Sequence, residues 1–174
     1  MPDRTLAETR FLRLVDRDGW TFVERPNSKG VVIIVPLTAE RRLLFVEQYR
    51  APLGRKAIEF PAGLMGDEPG HEHEAPVASA RRELIEETGY EARDLELVAT
   101  TSTSPGMTNE LVNFVLASDL VRVGKGGGVA GESIVVHEVP IGAARAWLAE
   151  REREGLVVAA KVYAGLYFAN ERWG

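Results

Sequence analysis

Arg81-Arg82-Glu83-Leu84-Ile85-Glu86-Glu87-Thr88-Gly89-Tyr90 is the stretch from which the rest of the chain is read. Followed back to Pro76, it predicts a helix over residues 76–88. Proline suits the first helical turn, whose amides lack intrahelical partners, and Gly89 takes the left-handed conformation that stops a helix. On that helix Glu83 stands three residues from Glu86 and four from Glu87, so three carboxylates share one face. Like charges at such spacings disfavour an isolated helix by roughly 0.2–0.5 kcal/mol per pair. Arg81 and Arg82 offset this, or a divalent cation does; a merely solvated acidic face is the plain alternative.

Working outward, Val31 to Leu37 is an apolar, β-branched run suited to a strand buried on both faces. Further strands are expected over residues 43–49, 57–60, 95–101, 111–117 and 134–139. Before them Phe11 to Val15 and Trp20 to Glu24 read as a hairpin about Asp16-Arg17-Asp18-Gly19. Residues 63–74 read as a loop. The run Gly124-Lys125-Gly126-Gly127-Gly128 reads as an irregular, mobile connection. Two helices, over residues 141–153 and 159–170, close the chain. Several strands, one helix, more strands and two helices suit an α/β fold in which helices cover a mixed sheet.

The bulk properties narrow the function. With 174 residues, 45% of them hydrophobic, the chain can build one core but not two independent ones. A net charge of -5 argues against a general nucleic-acid binder, though not against a nucleotide whose diphosphate is neutralised by a bound cation. The absence of cysteine excludes disulfides and thiolate metal sites, and carboxylate oxygens point to Mg²⁺, with Mn²⁺ as the other candidate, over zinc. His71 and His73 lack a third nitrogen or sulfur ligand nearby and read as solvated. So does the face of Glu150-Arg151-Glu152-Arg153-Glu154. No apolar run is long enough to span a membrane, and residues 1–13 do not form a signal peptide, so a soluble, cytoplasmic protein is expected.

Arg82-Glu83-Leu84-Ile85-Glu86-Glu87-Thr88-Gly89-Tyr90 resembles the second half of the Nudix signature in full, and Glu74 stands the required seven residues before Arg82. The first half departs from that pattern: ten residues, Leu64 to His73, separate Gly63 from Glu74, where the family has five. This puts a ligand role for Glu74 in doubt. Gln48-Tyr49-Arg50, Ile58-Glu59-Phe60-Pro61-Ala62-Gly63 and Ser104-Pro105-Gly106, the proline 16 residues after Gly89, are similar to the ADP-ribose pyrophosphatase branch. So are the closing helices with Trp147 and Tyr167.

This resemblance implies a Nudix α/β/α sandwich with a mixed sheet (31–174) and a small N-terminal antiparallel β element (1–30). It also implies a homodimer in which that element supplies an edge of the partner's site. The activity implied is hydrolysis of the diphosphate bond of a nucleoside diphosphate sugar, ADP-ribose to AMP and ribose 5-phosphate first, GDP-mannose or another nucleotide sugar as the alternative. A non-catalytic nucleotide sensor of the same fold is the rival of another class.

By the same resemblance Glu83, Glu87 and the Ala62 carbonyl hold the metal, with Glu86 beside them and Arg82 orienting the glutamates. Glu132 is the expected general base, with Glu110 in reserve. Arg50 is expected on a phosphate, Trp20 and Arg25 on the adenine side, and Glu59 on ribose hydroxyls. A surface ion pair for Arg50, a core position for Trp20 and a backbone-fixing role for Glu59 remain open alternatives. Nothing in the sequence fixes Lys125 on a phosphate.

Overall fold

The computed structural model describes residues 3–67, 70–129, 131 and 133–174. Strands β1 (Arg4–Glu8), β2 (Arg13–Arg17) and β3 (Trp20–Glu24) form an antiparallel sheet of order β1-β2-β3. The turn between β2 and β3 is Asp18-Gly19, both at positive φ (51° and 85°), the twist that a two-residue hairpin requires. The hairpin was expected two residues earlier at its first strand. The outer strand β1 was not expected at all, because its five residues are all exposed and carry no apolar alternation.

β4 (Val31–Pro36) is buried at every position, as its sequence predicts. It is followed by β5 (Arg42–Arg50), a 3-10 turn (Ala51–Leu53), β6 (Arg55–Glu59) and β7 (Ala62–Leu64). Helix α1 spans Pro76–Thr88, the predicted bounds. β8 (Tyr90–Ser102) and β9 (Leu111–Arg122) form a long antiparallel pair. β8 starts directly at the helix stop and not at Leu95, since backbone pairing with β9 carries its polar first residues. Then come β10 (Val135–Pro140), a 3-10 turn (Ile141–Ala143), α2 (Ala144–Arg153), β11 (Val157–Val158) and α3 (Ala160–Trp173).

Two four-stranded sheets result, of order β7-β4-β9-β8 and β10-β5-β6-β11. Both are mixed: β4 runs parallel to β9 and β11 parallel to β6, while the remaining pairs are antiparallel. Alternation along β4 divides the core. Val32 and Ile34 pack with Ala80 and Leu84 of α1, whereas Val31, Ile33 and Val35 pack with Phe45, Ile58, Phe60 and the inner faces of α2 and α3. Helices therefore lie on both sides of the sheets. Leu84 is fully buried, so one side of α1 is held by apolar packing while its acidic side is left for other work.

Candidate active site

The acidic side of α1 forms one wall of a cavity of about 540 Å³. β7 crosses in front of the helix, and Gly63 lets the Glu83 side chain lie directly on the strand: a Cβ at position 63 would sit 1.9 Å from the Glu83 carboxyl carbon. Beside it Glu87 is 6% exposed and accepts a hydrogen bond from the Ala62 amide at 3.2 Å. Glu83, Glu86, Glu87 and Ala62 all face the cavity. The segment that the sequence suggests as a metal centre is thus brought together by a strand passing close over a helix.

Arg82 ties these acids to one another. Its guanidinium lies 2.8 Å from Glu83, 3.2 Å from Glu86 and 3.6 Å from Glu74. Glu74 turns toward Arg82 and His71 and is not among the cavity-lining residues, which fits the lengthened loop before it. Burial pushes the Glu83 carboxyl up to about 7, Arg82 pulls it back in part, and the neighbouring charges of Glu86 and Asp67 raise it further. Glu83 and Glu86 thus share one guanidinium.

Among the described residues no three carboxylate or histidine side chains converge at metal-ligand spacing. The oxygen donors on this wall are the carboxylates of Glu83, Glu86 and Glu87. This oxygen-only, incomplete set, with a desolvated acid in it, fits a hard divalent cation that keeps water and substrate oxygens as its other ligands. It does not fit zinc.

The opposite rim is made of ion pairs. Arg50 on β5 donates from Nε to Glu59 Oε2 at 3.2 Å and from Nη2 to the same oxygen. Arg25 donates to Glu110 Oε1 at 2.7 Å. All four line the cavity, so Arg50 combines a site position with the salt bridge that was its alternative, and Glu59 is its partner. Three further polar residues at the cavity were not anticipated: Gln48, Asp67 and Lys161. Lys161 arrives because β11 pairs in parallel with β6 and the Ala159 amide bonds to Ile58 O, which starts α3 beside Glu59. Nothing in the pattern of the closing helix separates that lysine from a solvated one. Asp67 belongs to the lengthened loop.

Other expected residues lie elsewhere. Trp20 is 63% exposed on the N-terminal sheet and donates from Nε1 to Gly106 O at 3.2 Å, away from this cavity, so the core alternative for it is excluded. Glu132 lies outside the described residues. Lys125 is exposed and does not line the cavity. His73 contacts Lys29 Nζ at 2.9 Å, and Arg151 lies half-buried over the Trp147 ring instead of wholly in solvent.

Residues 27–154 match the NUDIX domain model. The chain is 40% identical to the ADP-ribose pyrophosphatase of Bacillus subtilis (strain 168) over 108 residues, 56% of each chain. It is 34% identical to the methanol dehydrogenase activator of Bacillus methanolicus over 123 residues, 65% of this chain and 64% of that one. These alignments thus span less than two thirds of either relative. With the GDP-mannose pyrophosphatase of Citrobacter koseri it shares 33% identity over 141 residues, 76% of this chain and 71% of that one. A crystal structure of an ADP compounds hydrolase superimposes with a TM-score of 0.76 at 23% identity, covering 98% of this chain and 91% of that one, a likeness of fold.

Proposed function

The chain belongs to the Nudix family, and from that premise we propose that it hydrolyses the diphosphate linkage of a nucleoside diphosphate sugar, converting ADP-ribose to AMP and ribose 5-phosphate. The observation that carries this reading is the pairing of an oxygen-donor wall, Glu83 and Glu87 against Ala62, with an arginine-bearing rim in one cavity. A diphosphate ester needs both: cation-binding oxygens under the reacting phosphorus and guanidinium groups for the remaining phosphate oxygens.

Mg²⁺, or Mn²⁺ in its place, would supply charge neutralisation and Lewis-acid polarisation at the diphosphate when held by Glu83, Glu87 and the Ala62 carbonyl. The side chains do the rest. Arg82 holds Glu83 and Glu86 in register on the helix face. Arg50 turns from Glu59 to a phosphate oxygen, which releases Glu59 to accept from ribose hydroxyls. Arg25 lies toward the nucleoside end. Glu132 takes the proton of the attacking water; Glu110, already at the cavity, is the reserve for that role. Lys161 adds a cation at the Glu59 side.

Residues 1–30 serve in this reading as the dimerisation element and substrate edge, residues 31–174 as the hydrolase domain. In a homodimer the exposed Trp20 would stack on the base bound by the partner subunit. We place the protein in the cytoplasm; among the described residues no helix is long and apolar enough to cross a membrane.

Similarity to GDP-mannose pyrophosphatases favours that substrate as the second reading. A non-catalytic sensor is disfavoured by the presence of Glu83, Glu86 and Glu87 together. Product release from ADP-ribose, GDP-mannose, UDP-glucose and diadenosine polyphosphates, with Mg²⁺ and with chelator, tests the proposal. Metal-dependent preference for ADP-ribose is expected. Preference for GDP-mannose would replace the substrate, and cleavage of none with binding retained would favour the sensor.

A further inference from the structure

The C-terminal end of α1 is covered in a way that the reaction outlined above does not use. Gly89 ends the helix at φ 75° and sends its amide to Ile85 O. The carbonyls of Glu86 and Glu87, the two residues that precede Thr88 and whose side chains line the cavity, would then point past the helix end without main-chain partners. They are taken by the glycine run. Gly127 donates to Glu87 O at 2.8 Å and Gly128 to Glu86 O at 3.1 Å, while Val123 and Gly124 both donate to Gly89 O. The stretch expected to be mobile is thus stapled to the end of the acidic helix through three amides, those of Gly124, Gly127 and Gly128.

Only glycine permits this. Gly126, Gly127 and Gly128 lie at φ 67°, 104° and 84°, a succession of left-handed residues that side chains rarely adopt. Approach is close as well as twisted. A Cβ on Gly126 would sit 2.4 Å from the Thr88 carbonyl carbon, and one on Gly89 would sit 2.4 Å from Gly124 O. By contrast, a Cβ on Gly127 would meet nothing nearer than Ile134 O at 3.9 Å. The chain leaves this staple at Gly128, and the next residue, Val129, lines the cavity.

We propose that the Gly126–Gly128 turn is a positioning element of the active site: by capping the carbonyls of Glu86 and Glu87 it fixes the cavity wall carried by Val129 relative to the carboxylates of the same helix. The capping amides also place partial positive charge at the negative end of a helix that already carries three acids in its last two turns. Displacing the turn disturbs the main chain at Glu87 and Thr88, whereas the side chains of Glu83 and Glu87 keep their own partners in Arg82 and the Ala62 amide, so turnover suffers more than cation binding.

This inference rests on the hydrolase reading, and its test separates the two. The full-length wild type, Gly126→Ala and Gly127→Ala are compared in three measurements: ADP-ribose and GDP-mannose turnover with Mg²⁺ well below the melting temperature, Mn²⁺ binding in the absence of substrate, and amide hydrogen exchange at residues 127 and 128. Gly126→Ala, which both strains the backbone and collides with Thr88, is expected to lower kcat by about 10- to 100-fold. It should leave Mn²⁺ affinity within about threefold and speed exchange at the two capping amides, as expected for a wall displaced with its ligands intact. Gly127→Ala, which strains without colliding, should fall between it and wild type. A folded Gly126→Ala with wild-type kcat, or wild-type amides at 127 and 128 that exchange as fast as open loop, overturns the positioning role. A wild type that cleaves neither nucleotide sugar overturns the hydrolase reading, and the positioning role with it; an active wild type matched by an equally active variant overturns the positioning role alone.

Discussion

The two walls of the cavity handle charge in opposite ways. On the α1 side Glu83 and Glu86 share Arg82, Glu87 lies buried beside them, and burial has already pushed the Glu83 carboxyl up to about 7. Across the cavity each acid has a cation of its own: Glu59 has Arg50 and Glu110 has Arg25. One wall shares a guanidinium between acids and the other pairs its acids singly. The difference teaches which parts of the site wait for something. In the proposed reaction the acidic wall takes a cation from outside the chain, whereas the rim exchanges its ion pairs for phosphate and hydroxyl groups when substrate enters.

Substitutions that neutralise or move the acidic wall should break activity without breaking the protein. Glu83→Gln removes a charge that its surroundings disfavour. It should lower kcat with Mg²⁺ by about 10²- to 10³-fold, the loss typical of one essential electrostatic group. The melting temperature in chelator should be equal to or above that of wild type, because an unfavourable buried charge is gone. A loss of stability together with activity would show that Glu83 is structural. Gly63→Ala comes next. The three atoms nearest its new methyl all belong to the flexible Glu83 side chain, so the carboxylate swings aside at little cost in folding while kcat falls by about 10- to 100-fold. Steady-state kinetics beside a thermal melt checks this.

Rim substitutions should instead act on substrate affinity. Arg50→Ala removes the proposed bidentate phosphate partner and is expected to raise KM about tenfold, with a weaker effect on kcat. Arg50→Lys should recover little of it, since an ammonium does not reproduce the guanidinium fork. If Arg50→Ala left KM unchanged, the Arg50–Glu59 pair would be a surface salt bridge and nothing more. The smallest effect belongs to Lys125→Ala. This exposed residue stands beside the cavity wall without lining it, and its loss should change kcat/KM by less than about twofold, as is usual for exposed positions.

The same contrast explains what could be read from the sequence. The acidic wall was legible because it is local: Pro76 and Gly89 bracket the helix, and carboxylates three and four apart share a face whatever the rest of the chain does. β4 was equally plain, an unbroken apolar run that is buried on both sides. The rim was not legible as a set of pairs. Arg25 meets Glu110 only because β3 and the segment before β9 are brought side by side, and Lys161 depends on a two-residue parallel strand, β11, that carries almost no sequence signal. β1 was missed for a related reason, since an edge strand with every residue exposed has no buried face to leave a pattern. The glycine run is irregular as expected, but its hydrogen bonds to the helix end left no sequence signal; the missing side chains permit three close hydrogen bonds there.

The most direct test of the account is ADP-ribose hydrolysis by wild type and Glu87→Gln across a Mg²⁺ titration, with circular dichroism on both proteins. Metal-dependent release of AMP and ribose 5-phosphate by wild type, abolished by chelator, is the expected result. In Glu87→Gln, folded as wild type, turnover should be lower by about 10²-fold or more. Hydrolysis that persists in chelator, or a Glu87→Gln variant as active as wild type, would contradict the central claim that the acidic wall of α1 is the catalytic cation site.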